Sequence, residues 1–122
     1  MIRAVLQTLF LIGLVLQAPT PKKVDIVSVI GCLRDQSGTW MLVAATDPVP
    51  SLANQAQGKD IPSTPPAGKN TFRLIGTSEF ALPGMKDHTV VIRGLFIKDK
   101  VSRINVTSAV EAVPSCAPSA PK

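Results

Sequence analysis

The chain opens on an almost unbroken apolar run from Ala4 to Leu16, and beyond it the apolar residues come in short stretches separated by polar turns. From Val24 to Leu33 the residues are dense in β-branched side chains, and the polar, glycine-containing stretch from Arg34 to Gly38 ends them. Thr39 to Ala45 follows, which predicts a hairpin. Asn70 to Ile75 reads as a third strand, with Phe72 and Leu74 on one face and Thr71 and Arg73 on the other. Gly76 to Pro83 has room for a turn or two of helix, capped by Thr77 or Ser78. Thr89 to Ile97 predicts a fourth strand in which Val90, Ile92 and Phe96 share a face. After the charged turn Lys98-Asp99-Lys100, a fifth strand runs from Val101 to about Val113. It sets Ile104, Val106, Ser108 and Val110 against Arg103, Asn105, Thr107 and Ala109.

Proline placement agrees with this division. Proline lacks an amide donor and is excluded from central strands. Pro48, Pro50, Pro62, Pro65 and Pro66 fall within 47–69, a Pro-rich loop without periodicity that is expected to be functional or mobile. Pro114, Pro118 and Pro121 mark residues 114–122 as a tail, which leaves 24–113 as one domain. Five strands with a helical or irregular link between the third and fourth predict an all-β, five-stranded, OB-fold-like Greek-key barrel. An open sandwich or meander is the alternative, and the handling of the edge strands decides between them.

The apolar run carries an address. Arg3, the run itself and then Ala18 before Pro19 read as a secretory signal over 1–18, followed by a flexible mature N-terminus over 19–23. The run is shorter than the roughly 20 apolar residues a membrane span needs. No span is expected after its removal, and the protein is expected to be exported, periplasmic or extracellular, from a bacterium. Val29-Ile30-Gly31-Cys32 looks like a lipobox, but Lys22, Lys23 and Asp25 separate it from the apolar run. The formal charge of +5 loses only Arg3 with the signal, so the mature chain stays basic.

The frame also carries a resemblance. Val29-Ile30-Gly31-Cys32-Leu33, Trp40-Met41-Leu42, Phe72-Arg73-Leu74, the stretch from Leu82 to Gly94 containing His88, Ile104-Asn105-Val106 and Ser115-Cys116 together resemble a family of small exported bacterial OB-fold-like proteins of unknown function. The layout is similar to bacterial stress-associated periplasmic OB-fold proteins as well. Phe72, where tyrosine is common, and the Pro-rich insert after Asp47 depart from the pattern. The resemblance implies a fold and export, and carries no activity.

Two cysteines in an exported chain permit one intramolecular pairing, Cys32 to Cys116, against the alternative of two separate thiols. In an OB topology the first and fifth strands both run antiparallel to the fourth. Cys32 and Cys116 then lie at the same end of the barrel, which favours the bridge.

Little in the chain suits catalysis. With one histidine, eight acidic residues and no paired carboxylates, acid–base and nucleophilic mechanisms have few groups to use, and no catalytic residue or cofactor is expected. Two distant cysteines and a lone His88 make no zinc spacing, so no metal is expected either. His88 lies in a turn before the fourth strand and is read as a structural hydrogen-bonding group, rather than as part of a small hydrolase. Asn105-Val106-Thr107 fits a glycosylation sequon but falls inside a predicted strand. OB folds bind on the second and third strands and on the loops joining strands one to two and four to five. The candidate binding surface is therefore Arg34, Arg73, Arg93, Lys98, Lys100 and Arg103. Its expected partner is a protein, polymer or anionic ligand. Single-stranded nucleic acid needs aromatic stacking platforms, and Phe72, Phe96 and Trp40 are better used in the core. The function expected is thus a non-enzymatic exported binding module.

Overall fold

The computed structural model describes residues 25–51 and 58–121. The expected signal, the flexible N-terminus and residues 52–57 of the long loop lie outside the described residues. The strands are β1 (Ile26–Gln36), β2 (Thr39–Ala45), a short β3 (Val49–Pro50), β4 (Asn70–Ile75), β5 (Thr89–Ile97) and β6 (Arg103–Val113). Between them lie two 3-10 turns, Gly58–Asp60 and Leu82–Met85, and the described residues contain no α-helix. The five long strands form a ring in the order β1-β2-β4-β6-β5, closed by the β1–β2 pairing. Only β4 and β6 run parallel; every other pair is antiparallel. The open sheet weighed as an alternative is not what forms, because a closed ring leaves no long edge to protect.

Closure depends on β1. Its residues Ile26 to Cys32 pair with β5, and Cys32 to Gln36 pair with β2. Gly31 sits where the partner changes, and a Cβ there would come within 2.9 Å of Leu42 Cγ, Ala45 Cβ and the Val43 carbonyl. Gly94 does the same for the opposite wall, since its Cβ would lie 2.1 Å from the Asn105 carbonyl, beside a register shift between Arg93 and Gly94. The role of both glycines is close backbone approach at a bend and a bulge. A Gly94→Ala variant is therefore expected to lose about 1–3 kcal/mol, as overpacking against backbone does. Gly84→Ala, which meets nothing within 4 Å, is expected to be near neutral in the same urea titration.

One strand boundary and one side-chain phase differ from expectation. The polar stretch after Leu33 is not a long turn: β1 continues to Gln36, and only Ser37 and Gly38 make the hairpin turn. Both have positive φ, 56° and 88°, as the tight type I′ turn requires, and the Asp35 carboxylate accepts the Gly38 N–H at 2.9 Å. Arg34, Asp35 and Gln36 are polar because this end of the ribbon faces water, not because the backbone stops pairing. In β6 the bulge at Thr107 inverts the side-chain phase. Ile104 and Val106 face the core as expected, but beyond the bulge Ala109 packs on the core while Ser108 pairs with Arg93 on the other face. Alternation cannot reveal an inserted residue.

The core is otherwise the one the pattern predicts. Val29, Leu33, Leu42, Leu74, Ile92 and Ile104 are buried in a single cluster, and Phe72 meets Phe96 edge-on at 6.2 Å. Leu82, fully buried, extends this cluster from the 3-10 turn between β4 and β5. A second, smaller cluster lies on the outside of β1 and β2, where Ala120 of the tail packs on Cys32 and Val43. The tail is anchored by a disulfide between Cys32 and Cys116, with Cα atoms 5.4 Å apart.

Candidate functional site

Pairing register brings together residues that the chain keeps far apart. Arg34 on β1 lies opposite Met41 on β2, Met41 opposite Arg73 on β4, and Arg73 opposite Arg103 on β6. Their chain neighbours Leu33, Leu42, Phe72, Leu74 and Ile104 are all in the core. By the period of two, the row itself points outward. Neighbouring strands lie about 4.8 Å apart, so Arg73 and Arg103 present two like charges at one strand spacing. Such a pair is destabilising unless an anion lies nearby.

The turn between β5 and β6 adds to this charge. Lys98, Asp99 and Lys100 are exposed, and the Arg73 amide donates to the Ser102 carbonyl at 3.0 Å, which holds the turn beside β4. Asp99 is fixed locally: one carboxyl oxygen accepts the Lys100 amide at 2.8 Å, and the other lies 3.7 Å from Arg103 Nε. Within the turn itself Asp99 is the one carboxylate, between Lys98 and Lys100 and 3.7 Å from Arg103 Nε.

Two of the six candidate residues are placed differently. Arg93 is buried, with its Nη2 donating to the Asp60 carboxylate at 3.1 Å, and does not belong to an exposed binding surface. The reason is the long loop: its returning segment, residues 58–61, covers the outer wall where Ser28, Arg93 and Ser108 pair across β1, β5 and β6. Arg34 keeps its place in the row but is drawn aside. Its Nη1 donates to Asp87 at 2.7 Å and its Nε to the Pro121 carbonyl at 3.1 Å, so the guanidinium binds the tail to the β4–β5 link.

This pairing acts on Asp87. The hydrogen bond from Arg34 is the largest influence and holds the carboxyl below its ordinary value; desolvation opposes it, and the charges of Arg34, Lys86 and His88 add to the lowering. A carboxylate with a depressed value contributes stability above its unfolded-state value and loses it as the pH falls through the folded-state one. Asp87 is therefore expected to titrate by NMR below an ordinary aspartate, and Arg34→Gln to move that midpoint upward. An unchanged midpoint in the variant would show that Arg34 is not the cause.

His88 is placed between structure and chemistry. Its carbonyl accepts the Leu33 amide at 2.9 Å and its Nδ1 contacts the Glu111 carboxylate. The hydroxyl next in the chain, on Thr89, donates to the Ser115 carbonyl at 2.7 Å. A cavity of about 410 Å³ lies apart from His88, lined by Thr46, Asp47, Pro66 and Lys69 among others. Among the described residues no three histidine, cysteine or acidic side chains cluster as a metal site would require, and no helix is long and apolar enough to cross a membrane.

Comparison with protein-family models, curated proteins and solved structures finds no match to this chain. The site therefore stands on its geometry. What the sequence concealed was register: alternation places Arg73 outward beside Phe72 and Leu74, and Arg103 outward beside Ile104, but cannot show that the two strands pair. The Arg93–Asp60 contact had no local signal, because the residues lie on separate elements joined by an irregular loop.

Proposed function

We propose that this protein is an exported, non-enzymatic binding module on an OB-type barrel, and that it binds an anionic ligand on the outer face of β2, β4 and β6. The ring order, with the third and fifth long strands parallel and a short 3-10 link between the third and fourth, supports the OB reading. In that fold ligands bind on strands two and three and on the loop joining strands four and five. Met41 and Arg73 occupy those strands here, and Lys98 and Lys100 that loop. The disulfide suits an oxidising compartment outside the cytosol.

The observation that carries the proposal is the cross-strand row that sets Arg73 beside Arg103 with Lys98 and Lys100 next to it. Stacking of bases has no support on this face, because Phe72 is buried and Trp40 and Phe96 pack against the core. The ligand expected is one recognised by charge, such as a cell-wall or other acidic polymer.

Long-chain polyphosphate is a suitable probe, since it carries charge without bases. The wild-type chain is expected to bind it with an affinity that falls as salt rises. In the Arg73→Ala/Arg103→Ala variant the slope of log K against log salt is expected to shrink by roughly 1.5, the loss of two phosphate contacts. A double variant with undiminished affinity and slope would contradict the proposal.

A further inference from the structure

We propose that Arg73 and Arg103 form a clamp for one tetrahedral oxyanion, the phosphate or sulfate of an ester group, for which the Asp99 carboxylate is the built-in competitor. The inference rests on the anion-binding reading above and names the chemical group that the site recognises.

Arg103 provides the first reason. Its Nε is buried, yet it has no hydrogen-bond acceptor. Asp99 Oδ2 lies 3.7 Å away, close enough for charge attraction and too far for a hydrogen bond. A buried donor without an acceptor is costly, and an oxygen brought by a ligand would satisfy it. Asp99 cannot readily move closer, because its other oxygen accepts the Lys100 amide and its own amide donates to Ser102 Oγ at 3.4 Å.

The second reason is donor geometry. A planar carboxylate has two oxygens, and the fork of a single guanidinium satisfies both. Arg73 and Arg103 start side by side from paired positions of parallel strands, one strand spacing apart, so both forks are within reach of a single ligand group. A tetrahedral group with oxygens in several directions can accept from both at once. Arg73 is exposed and the Arg103 side chain is 37% exposed, so a ligand reaches their guanidinium groups from solvent, and a turn of the Arg103 side chain brings its buried Nε to the ligand oxygen. Lys98 and Lys100 supply attraction without fixed direction, as compact point charges do.

The arginine Nε–H groups report on this directly. With the disulfide intact and the protein labelled with nitrogen-15, their resonances are followed during titration with sodium phosphate and sulfate. Sodium acetate and sodium chloride at matched ionic strength serve as comparisons. The Arg103 Nε–H signal is expected to shift and saturate with phosphate and sulfate, at several-fold lower concentration than with acetate. Arg73→Ala, a change at an exposed position, is expected to weaken phosphate roughly tenfold, the worth of a charged hydrogen bond. Asp99→Asn is expected to tighten it several-fold.

Acetate acting at the same concentration as phosphate, or an Arg103 signal that stays still while phosphate binds, overturns the clamp. If polyphosphate still binds through Arg73 and Arg103 in that case, the wider anion-binding reading stands and only the clamp fails. Heparin and vesicles containing phosphatidylglycerol tell a sulfated polymer from a lipid phosphate as the source. Binding of neither overturns the assignment to an ester group.

Discussion

A chain in which Cys32 and Cys116 are both serine is expected to unfold with about 4 kcal/mol less free energy than the native protein. The bridge joins residues 84 apart in sequence. In the chain-entropy account the constraint on the unfolded state is worth roughly 3 kcal/mol for a 15-residue loop and about 4.7 for 100 residues. The Cα separation of 5.4 Å falls in the ordinary range for a disulfide, so no backbone movement is needed to close it. The loss has a local signature as well. Ala120 packs on Cys32 and Val43, and Arg34 holds the Pro121 carbonyl, so the tail is expected to become protease-sensitive before the barrel does. Urea titration of the two proteins measures the first effect and limited proteolysis the second. A stability difference below about 1 kcal/mol would mean that strand closure and the Thr89–Ser115 contact already hold the tail without the bridge.

The second large effect concerns Arg93. Its side chain is 5% exposed and reaches Asp60, which is 37% exposed. Removing one member of a buried ion pair leaves the other uncompensated, at a cost of about 3–5 kcal/mol, whereas replacing both by apolar groups is often close to neutral. Asp60 is 37% exposed and both residues have further partners, so Asp60→Ala is expected below that range, at about 1.5–3 kcal/mol, as for the loss of a hydrogen bond to a charged group. The Asp60→Ala/Arg93→Met protein is expected to recover most of the loss, because methionine fills the covered outer wall without bringing a charge. A double variant as unstable as the single one would show that Arg93 is held by its other contacts, and that Asp60 matters for the loop alone. The comparison also tests why Arg93 is no part of the binding surface: in the double variant, anion binding at Arg73 and Arg103 is expected to be unchanged.

Much of the barrel was legible because each strand carries its own signal. The β-branched run before Cys32, the Phe72–Leu74 alternation and the apolar stretch from Thr89 to Ile97 each predict a strand without reference to a partner. The bridge between Cys32 and Cys116 was favoured over two separate thiols only on the assumption of an OB topology, in which β1 and β6 both run antiparallel to β5, as they do here. Less was legible wherever the outcome depends on two elements at once. The bulge at Thr107 turns Ser108 and Val110 off the core face, and nothing in β6 alone announces it. Arg34 and Arg93 look like surface arginines by composition, but the tail and the long loop fold back onto them. Arg73 and Arg103 were each placed outward by alternation, while their adjacency comes only from the parallel β4–β6 pairing. The candidate site was therefore readable as a set of charges, but not as a place.

Backbone amide shifts show whether this place binds anions. Labelled protein is titrated with polyphosphate at low salt and each amide is followed. The largest shifts are expected on Met41, Arg73, Arg103 and the turn from Lys98 to Ser102, with Arg93 and His88 little changed. Shifts centred instead on the cavity beside Asp47 and Lys69, or spread evenly over the basic residues, would contradict anion binding at this place.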